Sequence, residues 1–258
     1  MTKSTRILAI ANQKGGVGKT TTALNLAVGL SAMQRKVLLL DLDPQGNCTT
    51  GLGIELEPDQ PTMGDVLIGS HSLADVIVRP SSAELDLGPA SGDLTAAEVE
   101  LMERDDRAGA LSTALEAVTG RYHDVIIDCP PALNVLTLNA LTAAHRVMIP
   151  MQCEYYALEG LSALVDTIEQ IQDSVNPALE IEGLVRTMYD IRNNLSGAVA
   201  RQLSENFGEK LYNTIVPRNV RVAESPSYGE SVLTYDPESR GALAYRGLAG
   251  EYVRRMGT

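Results

Sequence analysis

A glycine-rich run near the start of the chain carries residue types that hold phosphate groups. Residues 12–20 read Asn-Gln-Lys-Gly-Gly-Val-Gly-Lys-Thr and follow the apolar run 7–11. Glycines allow successive backbone N–H groups to converge on phosphate oxygens, and the start of a following helix adds a favourable dipole. Lys19 can bridge the β- and γ-phosphates of a nucleotide, and the hydroxyl of Thr20 can bind Mg²⁺. The segment therefore predicts a nucleotide-binding P-loop.

This loop departs from the general P-loop pattern, in which a glycine and four further residues precede Gly-Lys-Thr. Gly18, Lys19 and Thr20 fit the pattern, but Gln13 stands where the first glycine should be, and Lys14 is an additional cation. A lysine at this position can contact the phosphates or can be an ordinary solvated side chain. The residue types alone leave both possibilities open.

Two other apolar runs end in carboxylates that could act on a bound nucleotide. Residues 125–128 read Val-Ile-Ile-Asp before two prolines, so Asp128 is predicted to support Mg²⁺ at the end of a strand. The run 37–40 leads into Asp41 and Asp43, which point to the same side of an extended chain. One of these two could orient a water molecule for attack on the γ-phosphate, although the Asp-Pro-Gln-Gly segment also favours a turn unaided.

The elements that must position these groups follow from the alternation of short apolar runs with helical periodicity, which is typical of an α/β fold with a parallel sheet. Nearly continuous Val, Ile and Leu runs suit parallel strands buried on both faces. The predicted strands are 7–11, 37–42, 124–128, 146–151, 181–188 and 214–216. We therefore predict a single domain over residues 1–258, a P-loop NTPase with a mostly parallel twisted sheet flanked by helices on both faces, and its ligand at the carboxyl ends of the strands.

The acidity of the chain is concentrated in one segment. The net charge is −12, and residues 55–106 alone hold 13 Asp and Glu against two Arg. This segment is predicted to form loops and short helices on the sheet. Residues 186–258 hold ten Arg and Lys against eight Asp and Glu, so they are free to present a basic face.

The three cysteines and the hydropathy restrict the cellular setting. An odd number of cysteines without Cys-x-x-Cys spacing makes structural disulfides and zinc sites poor expectations and suits a reducing cytoplasm. No run of about 18 apolar residues predicts a membrane span, and residues 1–11 lack the long apolar stretch of a signal peptide.

Several longer motifs resemble those of the ParA/MinD family of deviant P-loop ATPases. They are Lys-Gly-Gly-Val-Gly-Lys-Thr-Thr at 14–21, Asp-Leu-Asp-Pro-Gln-Gly-Asn at 41–47, Ile-Asp-Cys-Pro-Pro at 127–131, Glu-Tyr-Tyr-Ala-Leu-Glu-Gly at 154–160 and Pro-Arg-Asn-Val-Arg-Val-Ala-Glu-Ser-Pro-Ser at 217–227. Together they are similar to the small chromosomal ParA, or Soj-like, branch. The resemblance runs from about residue 5 to residue 253 and is weakest in the acidic segment 55–106.

The resemblance implies ATP and Mg²⁺ as cofactors and a role for each matched residue. Lys14 corresponds to a signature lysine that reaches across an ATP-sandwich homodimer to the partner's nucleotide. Asp43 matches the acidic residue that orients the hydrolytic water, and Thr20, Asp43 and Asp128 form the expected Mg²⁺ site. Pro217 and Asn219 match positions beside the adenine. The residues expected to contact the nucleotide are Lys14, Gly15, Gly16, Val17, Gly18, Lys19, Thr20, Thr21, Asp128, Pro217 and Asn219, and the expected catalytic residues are Lys14, Lys19 and Asp43.

The resemblance also implies a function. Members of this family dimerise when ATP is bound and separate on hydrolysis, which is slow until a partner protein stimulates it. Arg192 and Arg221 match arginines that bind double-stranded DNA non-specifically, and Arg218 is a further candidate by proximity. The expected activity is chromosome or plasmid partitioning with a ParB-type centromere-binding protein, in the cytoplasm and on the nucleoid. One Phe and no Trp disfavour single-strand recognition by base stacking.

Other functions use related sequences. The same ATPase mechanism could position a different cargo, such as a protein microcompartment or a chemotaxis cluster, on the nucleoid. A MinD-like division-site ATPase would need a basic amphipathic helix on the membrane, but glycines interrupt residues 247–258, which are predicted to pack on the domain. A carboxylase or amide ligase on this fold would need further catalytic groups, and His71, His123 and His145 lie in no matching motif.

Overall fold

A seven-stranded sheet forms the centre of the structure, a computed structural model that describes residues 5–118, 120–154 and 157–256. In chain order its strands are β1 (Arg6–Ile10), β2 (Val37–Asp41), β3 (Asp86–Gly88), β4 (Asp124–Asp128), β5 (Arg146–Gln152), β6 (Glu180–Tyr189) and β7 (Leu211–Pro217). They lie in the order β3-β2-β4-β1-β5-β6-β7, and each neighbouring pair is parallel. The predicted α/β fold with a mostly parallel sheet is confirmed.

Helices cover both faces of this sheet. They are α1 (Lys19–Ala32), α2 (Asn47–Gly51), α3 (Met63–Ile68), α4 (Leu73–Val76), α5 (Leu94–Met102), α6 (Ala110–Glu116), α7 (Val135–Ala143), α8 (Ala157–Ser174), α9 (Asn194–Phe207), α10 (Val220–Glu224), α11 (Val232–Tyr235) and α12 (Arg240–Arg255). Short 3₁₀ turns lie at Gly208–Lys210 and Ser225–Tyr228. No helix in the described part of the chain combines the length and apolar character needed to cross a bilayer.

Strand alternation divides the core into two clusters. Along β2, Leu38 and Leu40 pack on one face with residues of α3 to α9, whereas Leu39 packs on the other face with α1, α11 and α12. Successive side chains of a strand point to opposite faces, so a strand covered on both sides is apolar throughout. This two-sided burial explains the continuous apolar runs in the sequence.

The strand β3 was not predicted, because it lies in the acidic segment 55–106 that was expected to hold only loops and short helices. It has three residues, and just one of them, Leu87, is an apolar side chain of a typical strand. Its pairing with residues 38–40 of β2 is a long-range contact that no local pattern reveals. Gly88 allows close packing there, because a Cβ would lie 2.7 Å from Leu40 Cδ2 and 2.8 Å from Met63 Sδ and would force these side chains to shift.

The C-terminal helix packs on the sheet, as predicted, and it begins earlier than expected, at Arg240. Tyr245, Leu248 and Tyr252 are buried on one of its faces. The same face carries Glu251, whose carboxylate accepts hydrogen bonds from the Asn213 and Thr214 backbone N–H groups at 2.8 Å each and from the Thr214 hydroxyl at 2.7 Å. Arg255 adds an ion pair at 2.9 Å. One buried carboxylate thus ties α12 to β7.

We predict that Glu251→Gln lowers the free energy of unfolding at pH 7 by about 1.5–3 kcal/mol, the range for hydrogen bonds to a charged group. Burial by itself raises the pKa of Glu251, but the donors on Thr214 and Asn213 and the Arg255 guanidinium outweigh it and lower the pKa from its ordinary 4.5. The ionised carboxylate therefore contributes stability above about pH 4.5, and this contribution is lost as the pH falls through the lowered folded-state pKa. Urea unfolding at pH 7 and at pH 3 measures both effects.

The control is Glu205→Gln, which removes an exposed carboxylate from α9. It should leave the free energy of unfolding within about 0.5 kcal/mol of the parent at both pH values. A difference between Glu251→Gln and the parent that persists undiminished at pH 3 would contradict the stabilising role of the ionised form.

Candidate nucleotide-binding site

The glycine-rich run forms the turn between β1 and α1. Gly16 and Gly18 have φ angles of 71° and 84°, in the left-handed region where an L side chain is strained, so glycine is needed at both positions. Gly18 directly precedes Lys19, the first residue of α1, and no side chain caps this helix start. The loop thus brings free N–H groups and the positive end of a helix dipole to the carboxyl edge of the sheet, an arrangement that suits an anion.

Polar side chains at the ends of neighbouring strands hold the loop from outside. The Thr187 hydroxyl, near the end of β6, donates to the Val17 carbonyl at 2.7 Å, and Gln152 Nε2, at the end of β5, donates to the Gly16 carbonyl at 3.1 Å. Asn12 accepts from the Lys14 N–H at 3.0 Å. Because these carbonyls are bound to β5 and β6, the loop is preorganised before any ligand arrives.

Lys19 lies inside this loop. Its side chain is largely buried, and its Nζ donates to the Lys14 carbonyl at 3.3 Å. Burial lowers the pKa of Lys19, and nearby Asp128 and Asp43 partly offset that effect. A buried cation held by a single carbonyl has donor capacity left for an anionic ligand.

Asp128, the last residue of β4, is a buried carboxylate whose partners do not satisfy it. Oδ2 accepts a weak hydrogen bond from the Cys48 thiol at 3.5 Å, the Thr20 hydroxyl also donates to the carboxylate, and Oδ1 has no partner. Burial, and next the neighbouring Asp41, raise its pKa well above the ordinary value. A divalent cation would supply the missing charge.

The chemistry of these donors fits Mg²⁺ bound together with phosphates. Among the described residues no cluster of three His, Cys, Asp or Glu side chains could hold a metal alone. Mg²⁺ ordinarily keeps several waters and takes one or two protein oxygens beside substrate phosphates. The hydroxyl of Thr20 and the unpaired oxygen of Asp128 match that ligand set.

The two aspartates after β2 have different surroundings. Asp41 is fully buried, and it accepts hydrogen bonds from the Thr49 N–H and hydroxyl at 2.9 Å each and from the Asp43 N–H at 3.2 Å. Burial raises the pKa of Asp41 to about 6, although these donors oppose the shift. In Asp43, Oδ1 accepts from the Gln45 N–H at 3.0 Å. Asp41 is therefore committed to the fold of the following loop, and Asp43 has the freer carboxylate.

The side chain of Lys14 points away from the interior of the loop. Its Nζ pairs with Glu154 Oε2 at 2.5 Å, and the two side chains are 40% and 52% exposed. Glu154 belongs to the motif 154–160, in which residues 155 and 156 lie outside the described residues. The ion pair places the Lys14 ammonium at the surface beside β5.

The residues expected beside the adenine lie at the same edge of the sheet. Pro217 ends β7, and Asn219 accepts from the Val222 N–H at 3.3 Å as the N-cap of α10. The Arg218 N–H donates to the Tyr189 carbonyl of β6 at 3.2 Å. The structure thus brings 217–219 to the carboxyl edge that also carries the glycine-rich loop.

The arginines expected to contact DNA are on the surface, and two of them are paired. Arg192 makes a two-point contact with Asp190 at 3.0 and 2.8 Å. Arg221 pairs with Glu224 at 3.0 Å and with Asp236 at 3.2 Å. These ion pairs were not predicted.

Sequence reasoning also missed the residues that support the loop. Thr187 and Gln152 are polar residues at the ends of apolar strands, and that position is the only local signal that points to them. Thr49, which holds Asp41, follows the motif 41–47 and carried no signal of its own.

Comparisons with known proteins show what the chain is similar to. A family model described as an AAA domain matches residues 5–181. The chain is 53% identical over 252 residues to the chromosome partitioning protein ParA of Caulobacter vibrioides, with 97% of this chain and 94% of that protein covered. It is 49% identical over 246 residues to the sporulation initiation inhibitor protein Soj of Bacillus subtilis, with 95% and 97% covered.

A solved structure has the same fold over nearly the whole chain. Cobyrinic acid a,c-diamide synthase from Mycobacterium smegmatis with bound ADP and magnesium is 38% identical, with a TM-score of 0.87 and with 98% of this chain and 96% of that chain covered. The same protein with a bound ATP analogue and magnesium gives a TM-score of 0.86. The model match, the two relatives and the shared fold show that the chain belongs to the ParA/Soj family of P-loop ATPases.

Proposed function

We propose that this protein is an ATP-dependent switch that dimerises on ATP, binds DNA non-specifically and drives chromosome or plasmid partitioning with a ParB-type partner. ATP and Mg²⁺ are its cofactors. The observation that carries the proposal is the buried Asp128 carboxylate with an unpaired oxygen, next to Thr20 and Lys19 at the P-loop. The names of the Caulobacter and Bacillus relatives, and the ADP, ATP analogue and magnesium held by the mycobacterial structure, support it.

The residues of the loop and the side chains around it have different roles in hydrolysis. The loop N–H groups and Lys19 bind the phosphates, and Lys19 stabilises the negative charge that develops during phosphoryl transfer. Thr20 and Asp128 would hold Mg²⁺, which would supply positive charge beside the phosphates. Asp43 orients the attacking water, a role for which its carboxylate is freer than that of Asp41.

Lys14 makes the site depend on a second copy of the chain. In the monomer its ammonium is half-exposed and paired with Glu154, and an exposed ion pair of this kind is weak. Lys14 can therefore leave Glu154 and reach the nucleotide of a partner subunit. In that arrangement ATP favours the dimer, and hydrolysis, slow until a ParB-type protein stimulates it, releases the subunits.

The dimer would bind the nucleoid through arginines and DNA phosphates. Arg192 and Arg221 lie on the surface and hold only exposed or half-exposed carboxylates, which phosphate groups can replace. Arg218 is exposed and directly follows the carboxyl end of β7. Contacts of this type neutralise the backbone and do not read base sequence.

A second candidate is an amide ligase, because the mycobacterial structure at 38% identity is a cobyrinic acid a,c-diamide synthase. The histidines give this candidate little support. His123 and His145 precede β4 and β5, at the opposite edge of the sheet from the P-loop, and their Nδ1 atoms accept backbone hydrogen bonds from Lys36 and Ile7. ATP turnover that requires a carboxylic acid and an ammonia donor would favour the ligase, and turnover stimulated by DNA and a ParB-type protein would favour the switch.

The central test is retention of duplex DNA by the purified protein with ATP, with ADP and without nucleotide. We expect DNA binding with ATP only, because the ATP-bound dimer contacts twice as many DNA phosphates as the monomer. We expect the double variant Arg192→Gln with Arg221→Gln to abolish this binding. The control, Lys36→Gln with Arg121→Gln, removes two exposed cations at the amino ends of β2 and β4 and should bind like the parent. Equal binding in all three nucleotide states would overturn the switch.

Asp43→Ala should bind ATP and dimerise, but it should hydrolyse ATP about 10²-fold or more slowly, the lower range for a positioned general base. Single-turnover hydrolysis and nucleotide affinity measure the two properties separately. The companion variant Asp41→Ala should instead lose stability, because Thr49 would lose its buried acceptor. Parent-like turnover in Asp43→Ala would show that another group orients the water.

Lys14→Ala should lose ATP-dependent dimerisation while the affinity of the monomer for ATP changes by less than about fivefold, since an exposed ion pair contributes about 1 kcal/mol or less. Light scattering and nucleotide titration provide the two readouts. Glu154→Gln is the matched control, because it breaks the same ion pair but leaves the lysine in place. Loss of dimerisation in both variants would assign the effect to the ion pair and not to the lysine.

A further inference from the structure

The outward face of α12 is positively charged, although the chain as a whole is acidic. Its exposed residues include Arg240, Arg246 and Arg254, and its apolar face is buried against the sheet. At 100° per residue these three arginines fall within an arc of about 120° on the solvent side of the helix. Glu251, the sole acidic residue in the sequence of α12, faces inward to β7.

No described residue neutralises these arginines. Among the described residues none of the three forms an ion pair, whereas Arg192 and Arg221 are held by Asp190 and by Glu224 with Asp236. A phosphate that binds Arg192 or Arg221 must displace a carboxylate first. A phosphate that meets the α12 arginines displaces only water and counterions.

Two glycines on the same face add an independent observation. Gly247 and Gly250 stand in the interior of α12, where each costs about 1 kcal/mol relative to alanine. Internal packing does not require them: a Cβ on Gly247 would make ordinary contacts of 3.7 Å with Thr214, and one on Gly250 would meet only the flexible end of Arg254 at 3.4 Å. Glycines at such positions let a large ligand approach the helix backbone closely.

The face is continuous with the arginines already discussed. Gly241, next to Arg240, packs on Val222 and Asn219 of the 217–222 segment, so the start of α12 lies beside Arg218 and Arg221. From Arg240 to Arg254 the helix rises by about 21 Å, which exceeds the width of either groove of B-DNA, so the arginines can contact phosphates of more than one strand segment.

We infer that the outward face of α12, through Arg240, Arg246 and Arg254, is a phosphate-contacting surface for duplex DNA and supplies cations that no described residue neutralises. This inference rests on the proposed function, since it extends the DNA surface of the ATP-bound protein. The surface is blind to base sequence, because it consists of arginines and glycines on the outside of a helix whose other face is buried in the domain.

The test is the salt dependence of duplex DNA binding by the full chain with ATP. The triple variant Arg240→Gln, Arg246→Gln and Arg254→Gln should bind about tenfold to a hundredfold more weakly near 0.15 M salt, and the slope of log K against log salt should fall by about one for each arginine lost. The charge-preserving variant with lysine at these three positions should keep most of the affinity and the slope.

The matched control removes three exposed cations elsewhere, with Lys36→Gln, Arg107→Gln and Arg121→Gln. Its net charge equals that of the α12 triple variant, so parent-like binding in the control shows that location and not total charge decides affinity. ATP affinity and circular dichroism, unchanged in both triples, establish that the variants fold.

The outcomes separate this inference from the function on which it rests. If the parent protein fails to bind DNA with ATP, the proposed switch is wrong. If the parent binds and the α12 triple variant keeps the parent's affinity and salt slope, the switch stands and the inference about α12 is overturned. An equal loss in the control triple also overturns it, because total charge would then explain the effect.

Discussion

The parallel alignment of β1, β4 and β2 determines where the charged groups of the nucleotide site lie. In the register of these strands Ile10 and Asp41 both align with Asp128, so the three strands end at one level. The glycine-rich loop begins just after Ile10, and Asp43 follows two residues after Asp41. A shift of one residue in either pairing would turn Asp128 or Asp41 to the opposite face.

This alignment brings several buried ionisable side chains close together at the site where a cation and phosphates would bind. Burial raises the pKa of Asp41; burial and next the neighbouring Asp41 raise the pKa of Asp128; and burial lowers the pKa of Lys19 beside them. Such groups are costly in an interior unless they are paired. Thr49 satisfies Asp41 internally, whereas Asp128 keeps an oxygen with no partner. Binding of a cation and phosphates beside Asp128 would therefore offset the cost of its unpaired buried oxygen.

Local sequence predicted those features that depend on neighbouring residues. The glycine-rich loop, the carboxylates at strand ends, six of the strands and the packed C-terminal helix all follow from short patterns. The misses are long-range. The donors that hold the loop carbonyls, Thr187 and Gln152, lie 170 and 136 residues from their acceptors. The short strand β3 is defined by its pairing with β2, which is distant in sequence. The ion pairs of Arg192 and Arg221 depend on side-chain positions that spacing does not specify.

The hydrogen bond from Thr187 to Val17 connects the P-loop to the segment that carries Arg192. Thr187 lies near the end of β6, which continues through Met188, with a left-handed φ of 47°, to its last residue Tyr189. Asp190 and Arg192 follow in the turn after the strand. Two residues, Met188 and Tyr189, lie between Thr187 and Asp190. The hydroxyl that binds the Val17 carbonyl and the carboxylate that pairs with Arg192 are therefore three positions apart on one segment of backbone, so a short covalent path connects the P-loop to the arginine-bearing turn.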